Sequence, residues 1–133
     1  MQHPSPRVLL VEDEFLQADD LASALWEQGA RVVGPASTVR EALKLVSTGG
    51  GIDAAVIDIN LHGDTSLALA ERLMKDNIPF VFLTGYDRSW LTGPFAGIEL
   101  WSKPLHYPTL HAWLERIDEQ DRVDGRPGPV RIL

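Results

Sequence analysis

Short, uninterrupted apolar runs recur along this chain and constrain its fold more than any other feature. The clearest are residues 8–11, 54–57 and 80–83, each with four consecutive apolar side chains. A strand that is apolar on both faces is typical of the middle of a parallel sheet, where helices cover both sides. Amphipathic segments separate the runs, so the sequence predicts alternating strands and helices.

Five segments are predicted as strands, and helices connect them. Parallel strands joined in this way place their helices on both faces of the sheet. The expected fold class is therefore α/β, a doubly wound parallel sheet of five strands. The predicted strands are residues 7–11, 31–33, 53–59, 79–83 and 99–102.

The first two helices have clear start or stop signals. Residues 14–28 carry an apolar helical stripe that ends at Gly29. A second helix is predicted to begin at Thr38, because Thr38 and Glu41 have the spacing of a capping box. Three consecutive glycines at 49–51 must end it.

The later helices are predicted with unequal clarity. Asp64, Thr65 or Ser66 can cap a third helix, and Pro108 suits the first turn of the last one. Residues 85–97 contain three glycines and a proline and show no helical period. A fourth helix in this segment is therefore expected to be short or degenerate.

Length and composition limit the class of protein. The 133 residues suit one domain, expected at 7–118, with an N-terminal tail at 1–6 and a flexible C-terminal tail at 119–133. No segment is left over for an output domain. The chain has no cysteine, no apolar run of the ~20 residues that cross a bilayer, and a net charge of −7. We expect a cytoplasmic protein that contacts neither membrane nor nucleic acid directly.

Polar residues that can carry chemistry follow four of the predicted strands. Glu12 and Asp13 follow the first strand, Asp58 closes the third, Thr84 follows the fourth and Lys103 the fifth. In doubly wound sheets, ligands bind outside the carboxyl ends of the strands. The five side chains are therefore expected to meet at one edge of the sheet.

Three carboxylates close together predict a cation site. Crowded carboxylates repel one another, which raises their pKa values unless a cation lies among them. Oxygen ligands without cysteine or histidine suit a hard cation, Mg²⁺ (or Mn²⁺). A lysine and a hydroxyl can contact a phosphoryl group, and an aspartate can accept that group covalently.

Four motifs in this order resemble the receiver (CheY-like) family of response regulators. They are VLLVEDE at residues 8–14, VIDINLHG at 56–63, FLTG at 82–85 and SKP at 102–104. The resemblance spans about residues 7–117. It implies the strand order 2-1-3-4-5 and a cytoplasmic domain of two-component signalling.

The resemblance also implies a role for each matching residue. Asp58 would be the phosphoacceptor and, with Asp13 and the backbone carbonyl of Asn60, a direct metal ligand. Glu12 would reach the metal through water. The phosphate-binding and switch residues would be Thr84 and Lys103, and the peptide bond between Lys103 and Pro104 would be cis.

Two positions depart from the family pattern. Leu100 stands where the family usually has an aromatic residue that couples to the threonine, and Trp101 lies one residue away, on the opposite face of the strand. His62 stands where proline is common. The missing aromatic residue puts the usual switch in doubt but not phosphorylation. The run PFVFLTGYD at 79–87 resembles the FATGUY subgroup of single-domain receivers, in which a degenerate fourth helix is expected.

The predicted function is that of a phosphoacceptor rather than an enzyme, with slow self-dephosphorylation at most. A histidine kinase or histidine phosphotransfer protein would donate, and the phosphorylated chain would bind an unknown downstream protein or act as a phosphate sink. The oligomeric state, monomer or dimer, stays open. A haloacid-dehalogenase-like phosphatase is disfavoured, because it needs an aspartate where Asn60 stands. A pseudo-receiver is disfavoured by the complete five-residue set.

Several residues near the predicted site keep two interpretations. His62 and His106 could tune the site with pH or be ordinary surface residues. Tyr86 could gate access to the phosphoryl group or pack on a loop. Trp90 and Phe95 could form a partner-binding surface or cover the core.

Overall fold

The computed structural model describes residues 5–48, 51–61, 64–84, 98–103 and 105–124. At 60–61, 64–65 and 118–124 the description covers the backbone alone. The elements, in chain order, are β1 (Arg7–Val11), α1 (Phe15–Glu27), β2 (Arg31–Ala36), α2 (Val39–Thr48), β3 (Ala54–Asp58), β4 (Asn60–Leu61), β5 (Asp64–Thr65), α3 (Leu67–Lys75), β6 (Phe80–Thr84), β7 (Leu100–Ser102) and α4 (Tyr107–Asp124).

The main sheet has five parallel strands in the order β2-β1-β3-β6-β7. Counted within this sheet, that is the predicted order 2-1-3-4-5, so the fold class is confirmed. In register, Val11 of β1 lies beside Ile57, and Asp58 lies beside Leu83. The carboxyl ends of the central strands are therefore aligned at one edge.

Alternate side chains of each central strand enter two different cores. Val8 and Leu10 of β1 belong to the cluster that holds the buried stripes of α1 and α4. Leu9 and Val11 belong to the cluster that holds α2 and α3. Because neighbouring residues of a strand point to opposite faces, a continuously apolar strand requires helices on both sides.

Strand β2 is longer than predicted. The turn signal Gly34–Pro35 was expected to end it at residue 33, but the strand continues to Ala36. β2 is an edge strand that pairs with β1 only, so a proline without an N–H is tolerated there. The register shifts between Leu9 and Val11, and beyond the shift the Glu12 N–H donates to the Ala36 carbonyl over 3.0 Å.

Helix ends follow the predicted capping chemistry in part. Thr38 caps α2, since its hydroxyl accepts a 3.0 Å hydrogen bond from the Glu41 N–H. The Glu41 carboxylate accepts from the Ser37 hydroxyl over 2.8 Å, a variation on the predicted capping box.

Pro108 lies in the first turn of α4, as predicted. The α4 backbone is helical to Asp124, six residues past the expected domain boundary at 118.

One small element was not predicted. β4 and β5 form a two-stranded antiparallel hairpin directly after β3, with Asn60 opposite Thr65. The expected fourth helix within 85–97 lies outside the described residues, as does most of the C-terminal tail. None of the helices that the structure describes has the length and apolar character needed to cross a membrane.

Replacing Gly34 with alanine is expected to destabilise the fold more than replacing Gly29. Both glycines have positive φ, +100° and +92°, which costs an alanine about 1 kcal/mol. A Cβ at Gly34 would also lie 2.7 Å from the Ala36 nitrogen and 3.0 Å from the Leu10 oxygen, whereas a Cβ at Gly29 meets no atom within 4 Å. Urea unfolding should give a clearly larger loss for G34A, and equal losses would contradict this account of β2.

Candidate phosphorylation and metal site

The ends of β1, β3, β6 and β7 bring the five predicted side chains to one edge of the sheet. Glu12, Asp58 and Thr84 are buried, and Asp13 and Lys103 are half-buried. Glu12, Asp13 and Asp58 each offer a carboxylate oxygen, and these oxygens lie within 4.8 Å of one another. Glu12 and Asp13 are adjacent in the sequence, and the register of β1 with β3 brings Asp58 to them.

Lys103 joins two of the carboxylates. Its Nζ lies 3.2 Å from Glu12 Oε2 and 3.3 Å from Asp58 Oδ2. Its backbone N–H donates to the Thr84 carbonyl over 2.9 Å, which continues the pairing of β7 with β6. Burial alone would lower the pKa of Lys103, but the negative charges of Asp58 and Glu12 raise it more strongly. The lysine therefore stays a cation in this cluster.

Glu12 has a pKa well above its ordinary value. The pKa of Glu12 is raised from 4.5 to about 7, first by burial and then by a hydrogen bond with Asp58 and by the Asp58 charge. The Glu14 N–H, 3.2 Å from Oε1, and the Lys103 charge act in the opposite direction. Oε2 is buried and accepts no hydrogen bond from the part of the chain that the structure describes.

The donor set fits a hard divalent cation. Three carboxylates converge, and one of them has a buried oxygen without a hydrogen bond. A cation among them would favour the charged form of Glu12, whose pKa is raised by burial and by Asp58. Asn60 lies in β4, two residues after Asp58, and its carbonyl as a ligand stays a prediction.

Ser66 is a residue at this site that the sequence analysis did not assign to it. The sequence suggested it as a cap of the third helix, and it does occupy the N-cap position of α3. Its side chain, however, makes no capping hydrogen bond. The hydroxyl donates instead to the Asp58 carbonyl oxygen over 2.5 Å. Capping preference alone could not distinguish these two uses of a serine.

Leu100 and Trp101 lie on opposite faces of β7, as predicted. Leu100 is half-buried and packs on the core shared with α2 and α3. Trp101 is buried on the other face, where its ring meets Trp113 of α4 edge-to-face at 5.5 Å. Its Nε1–H donates to Glu99 over 2.7 Å, and Glu99 also pairs with Arg116 of α4. Trp101 therefore packs in the core beside α4 and does not substitute for an aromatic residue at position 100.

Some predicted features lie outside the described residues. These are the peptide bond to Pro104 and the side chains of His62, Tyr86, Trp90 and Phe95. His106 is described and is exposed just before α4.

Comparison with known proteins decides the family. The model of the response regulator receiver domain matches residues 8–98. The chain belongs to this family. The match includes Glu12, Asp13, Asp58 and Thr84, and Lys103 lies beyond its end.

Two regulatory proteins are similar to this chain in sequence, and a solved structure is similar to it in fold. It is 35% identical over 88 residues to the phyllosphere-induced regulator PhyR of Methylorubrum extorquens AM1, covering 65% of this chain and 33% of PhyR. It is 30% identical over 128 residues to the transcriptional regulatory protein TcrA of Mycobacterium tuberculosis H37Rv, covering 91% of this chain and 49% of TcrA. The solution structure of SdrG from Sphingomonas melonis Fr1 superposes with a TM-score of 0.74 at 35% identity, covering 87% and 98% of the two chains. The receiver thus spans a third to a half of the curated relatives.

The stability of the metal-free receiver is expected to fall as pH rises from about 4.5 to about 7. A raised pKa of Glu12 means that the folded state binds a proton more tightly than the unfolded state in that window. The loss can reach on the order of 3 kcal/mol. Replacing Asp58 with asparagine removes a charge that raises this pKa, so D58N should flatten the slope and stabilise the metal-free protein at pH 8.

Urea unfolding in EDTA at pH 5, 6, 7 and 8 measures both effects. D19N, which neutralises an exposed carboxylate of α1, is the matched control and should keep the wild-type slope. A D58N protein less stable than wild type at pH 8 would contradict the repulsion argument.

Proposed function

We propose that this receiver is a phosphoacceptor of a two-component phosphorelay, in which Asp58 takes a phosphoryl group from a histidine kinase or histidine phosphotransfer protein. The observation that supports this most directly is the position of Lys103. Its ammonium group lies 3.3 Å from Asp58 Oδ2, where it can pair with a phosphoryl oxygen bound to that carboxylate.

The transfer needs little beyond positioning and charge neutralisation. A carboxylate oxygen of Asp58 forms the new bond to phosphorus, the phosphorus–nitrogen bond of the donor breaks, and the bonding electrons leave with the donor imidazole. Lys103 holds one phosphoryl oxygen, and the Thr84 hydroxyl can donate to another. Asp13, Asp58 and the Asn60 carbonyl would hold Mg²⁺ (or Mn²⁺), with Glu12 reaching it through water. The bound ion would supply charge neutralisation at the phosphoryl oxygens.

The proposed output is partner binding or phosphate storage in the cytoplasm, and not catalysis on a substrate. The phosphorylated receiver would bind a downstream protein or drain phosphoryl groups from its donor, and it would lose its own phosphoryl group only slowly. The motif at 79–87 supports membership of the FATGUY subgroup, and Leu100 leaves the usual threonine–aromatic switch without its aromatic residue. The match to the receiver model argues against the phosphatase alternative.

Acetyl phosphate with Mg²⁺ should phosphorylate the wild-type receiver at Asp58. Intact mass spectrometry, taken within minutes because acyl phosphates hydrolyse, should show the gain of one phosphoryl group. D58N should gain none, and D19N should behave as the wild type. A wild-type protein that never gains the phosphoryl mass, with acetyl phosphate or with a histidine kinase, would contradict the proposed function.

Millimolar Mg²⁺ should raise the melting temperature, because a ligand of the folded state stabilises it by mass action. The rise should be larger at pH 8 than at pH 5.5, since a cation competes with the proton that Glu12 binds at low pH. D13N should lose most of the shift, and D19N should keep it. An equal shift in D13N and wild type would place Mg²⁺ elsewhere.

A further inference from the structure

Ser66 makes an unusual choice of hydrogen-bond partners. It is fully buried, with no exposed surface, at the N-cap position of α3. The ordinary role of such a serine is to accept a hydrogen bond from an N–H of the first helical turn. Thr38 does this at the start of α2, but the Ser66 side chain makes no such bond. Its hydroxyl reaches back eight residues to the Asp58 carbonyl, 2.5 Å away.

The peptide unit between Asp58 and Ile59 is consequently held on both sides. The Ile59 N–H donates to the Leu83 carbonyl of β6 over 3.1 Å, and the Asp58 carbonyl accepts from Ser66. The Ser66 N–H also donates to the Ile59 carbonyl over 3.2 Å. Rotation of this peptide would break at least one hydrogen bond, and each buried backbone group left without a partner is costly.

The clamped peptide lies between the two groups whose placement matters most for the site. On one side is the Asp58 side chain, which contacts Lys103. On the other side the chain enters β4 at Asn60, one residue after Ile59. The Ser66 hydroxyl therefore supplies one of the hydrogen bonds that fix the direction of the chain after Asp58.

We propose that Ser66 is a positioning residue of the phosphorylation site. By holding the Asp58–Ile59 peptide, it keeps the Asp58 carboxylate against Lys103 and sets the course of the backbone that carries the Asn60 carbonyl. Ser66 touches neither the cation nor the phosphoryl group and acts through the backbone of the acceptor. This inference rests on the proposed function for its phosphorylation readout, but its metal-binding readout does not.

The test compares S66A with S66T, which keeps the hydroxyl, and with T38A as the matched control. T38A removes the hydrogen bond from the Glu41 N–H to Thr38 at the start of α2, which involves none of the five site residues, so it reports the consequence of a lost helix-start hydrogen bond alone. Three quantities are measured for each: the urea midpoint, the Mg²⁺ dissociation constant from amide chemical shifts, and the rate of phosphoryl gain from acetyl phosphate.

S66A is expected to raise the Mg²⁺ dissociation constant by about tenfold, as loss of an outer hydrogen-bond partner does at metal sites. It should also slow phosphoryl gain at a saturating Mg²⁺ concentration. S66T should stay near wild type, and T38A should lower the urea midpoint without changing the other two quantities. An S66A protein that loses stability but keeps both wild-type values would overturn the proposal and leave Ser66 a structural residue.

A third substitution at Ser66, S66C, covers the case in which S66A or S66T does not fold. S66C has nearly the volume of serine and a weaker donor, so its Mg²⁺ affinity should fall below that of wild type. Wild-type affinity in S66C would overturn the proposal. If even the wild type gains no phosphoryl group, the proposed function fails, while the Mg²⁺ titrations still decide the role of Ser66.

Discussion

The ammonium group of Lys103, placed between Glu12 and Asp58, is the interaction on which the rest of the site depends. The two acids end neighbouring strands of the sheet, and both are buried. Buried carboxylates whose oxygens lie within 4.8 Å of each other would repel strongly. The Lys103 ammonium group, 3.2 Å from Glu12 and 3.3 Å from Asp58, offsets part of that repulsion. The pKa of Glu12 is nevertheless raised, mainly because Glu12 is buried and to a smaller extent because of the Asp58 charge. The protein thus folds with a deficit of positive charge at the edge where a divalent cation and a phosphoryl donor would arrive.

Hydrophobic periodicity predicted the sheet because it reflects a constraint on the whole fold. Four consecutive apolar residues in β1, β3 and β6 can be buried only between two layers of helices, which leaves few alternatives to a doubly wound sheet. Local turn signals were less informative. Gly34–Pro35 suggested the end of β2, yet the pairing of β1 with an edge strand allowed the strand to continue.

The acidic cluster was predictable for the same reason, since strand ends converge wherever the strands are parallel. Ser66 was not, because a serine before a helix has the same sequence signature whether its hydroxyl caps the helix or binds a carbonyl elsewhere. Likewise, crowding predicted the direction of the Glu12 pKa, but only the structure shows that burial is its largest cause and that Asp58 is the carboxylate involved. Composition and motif order predict which residue types form the site. The role of each residue depends on distances of a few ångströms, which only the structure gives.

The same charges connect metal binding with phosphorylation. A phosphoryl group on Asp58 would add negative charge beside Lys103, and its oxygens would compete with Glu12 for the ammonium group. Glu12 is the acid least able to lose that partner, because it is 2% exposed and its Oε2 has no hydrogen bond among the described residues. A cation near Glu12 would make the loss tolerable. Under the proposed function, a metal near Glu12 would therefore favour the movement of Lys103 from that carboxylate to the phosphoryl group.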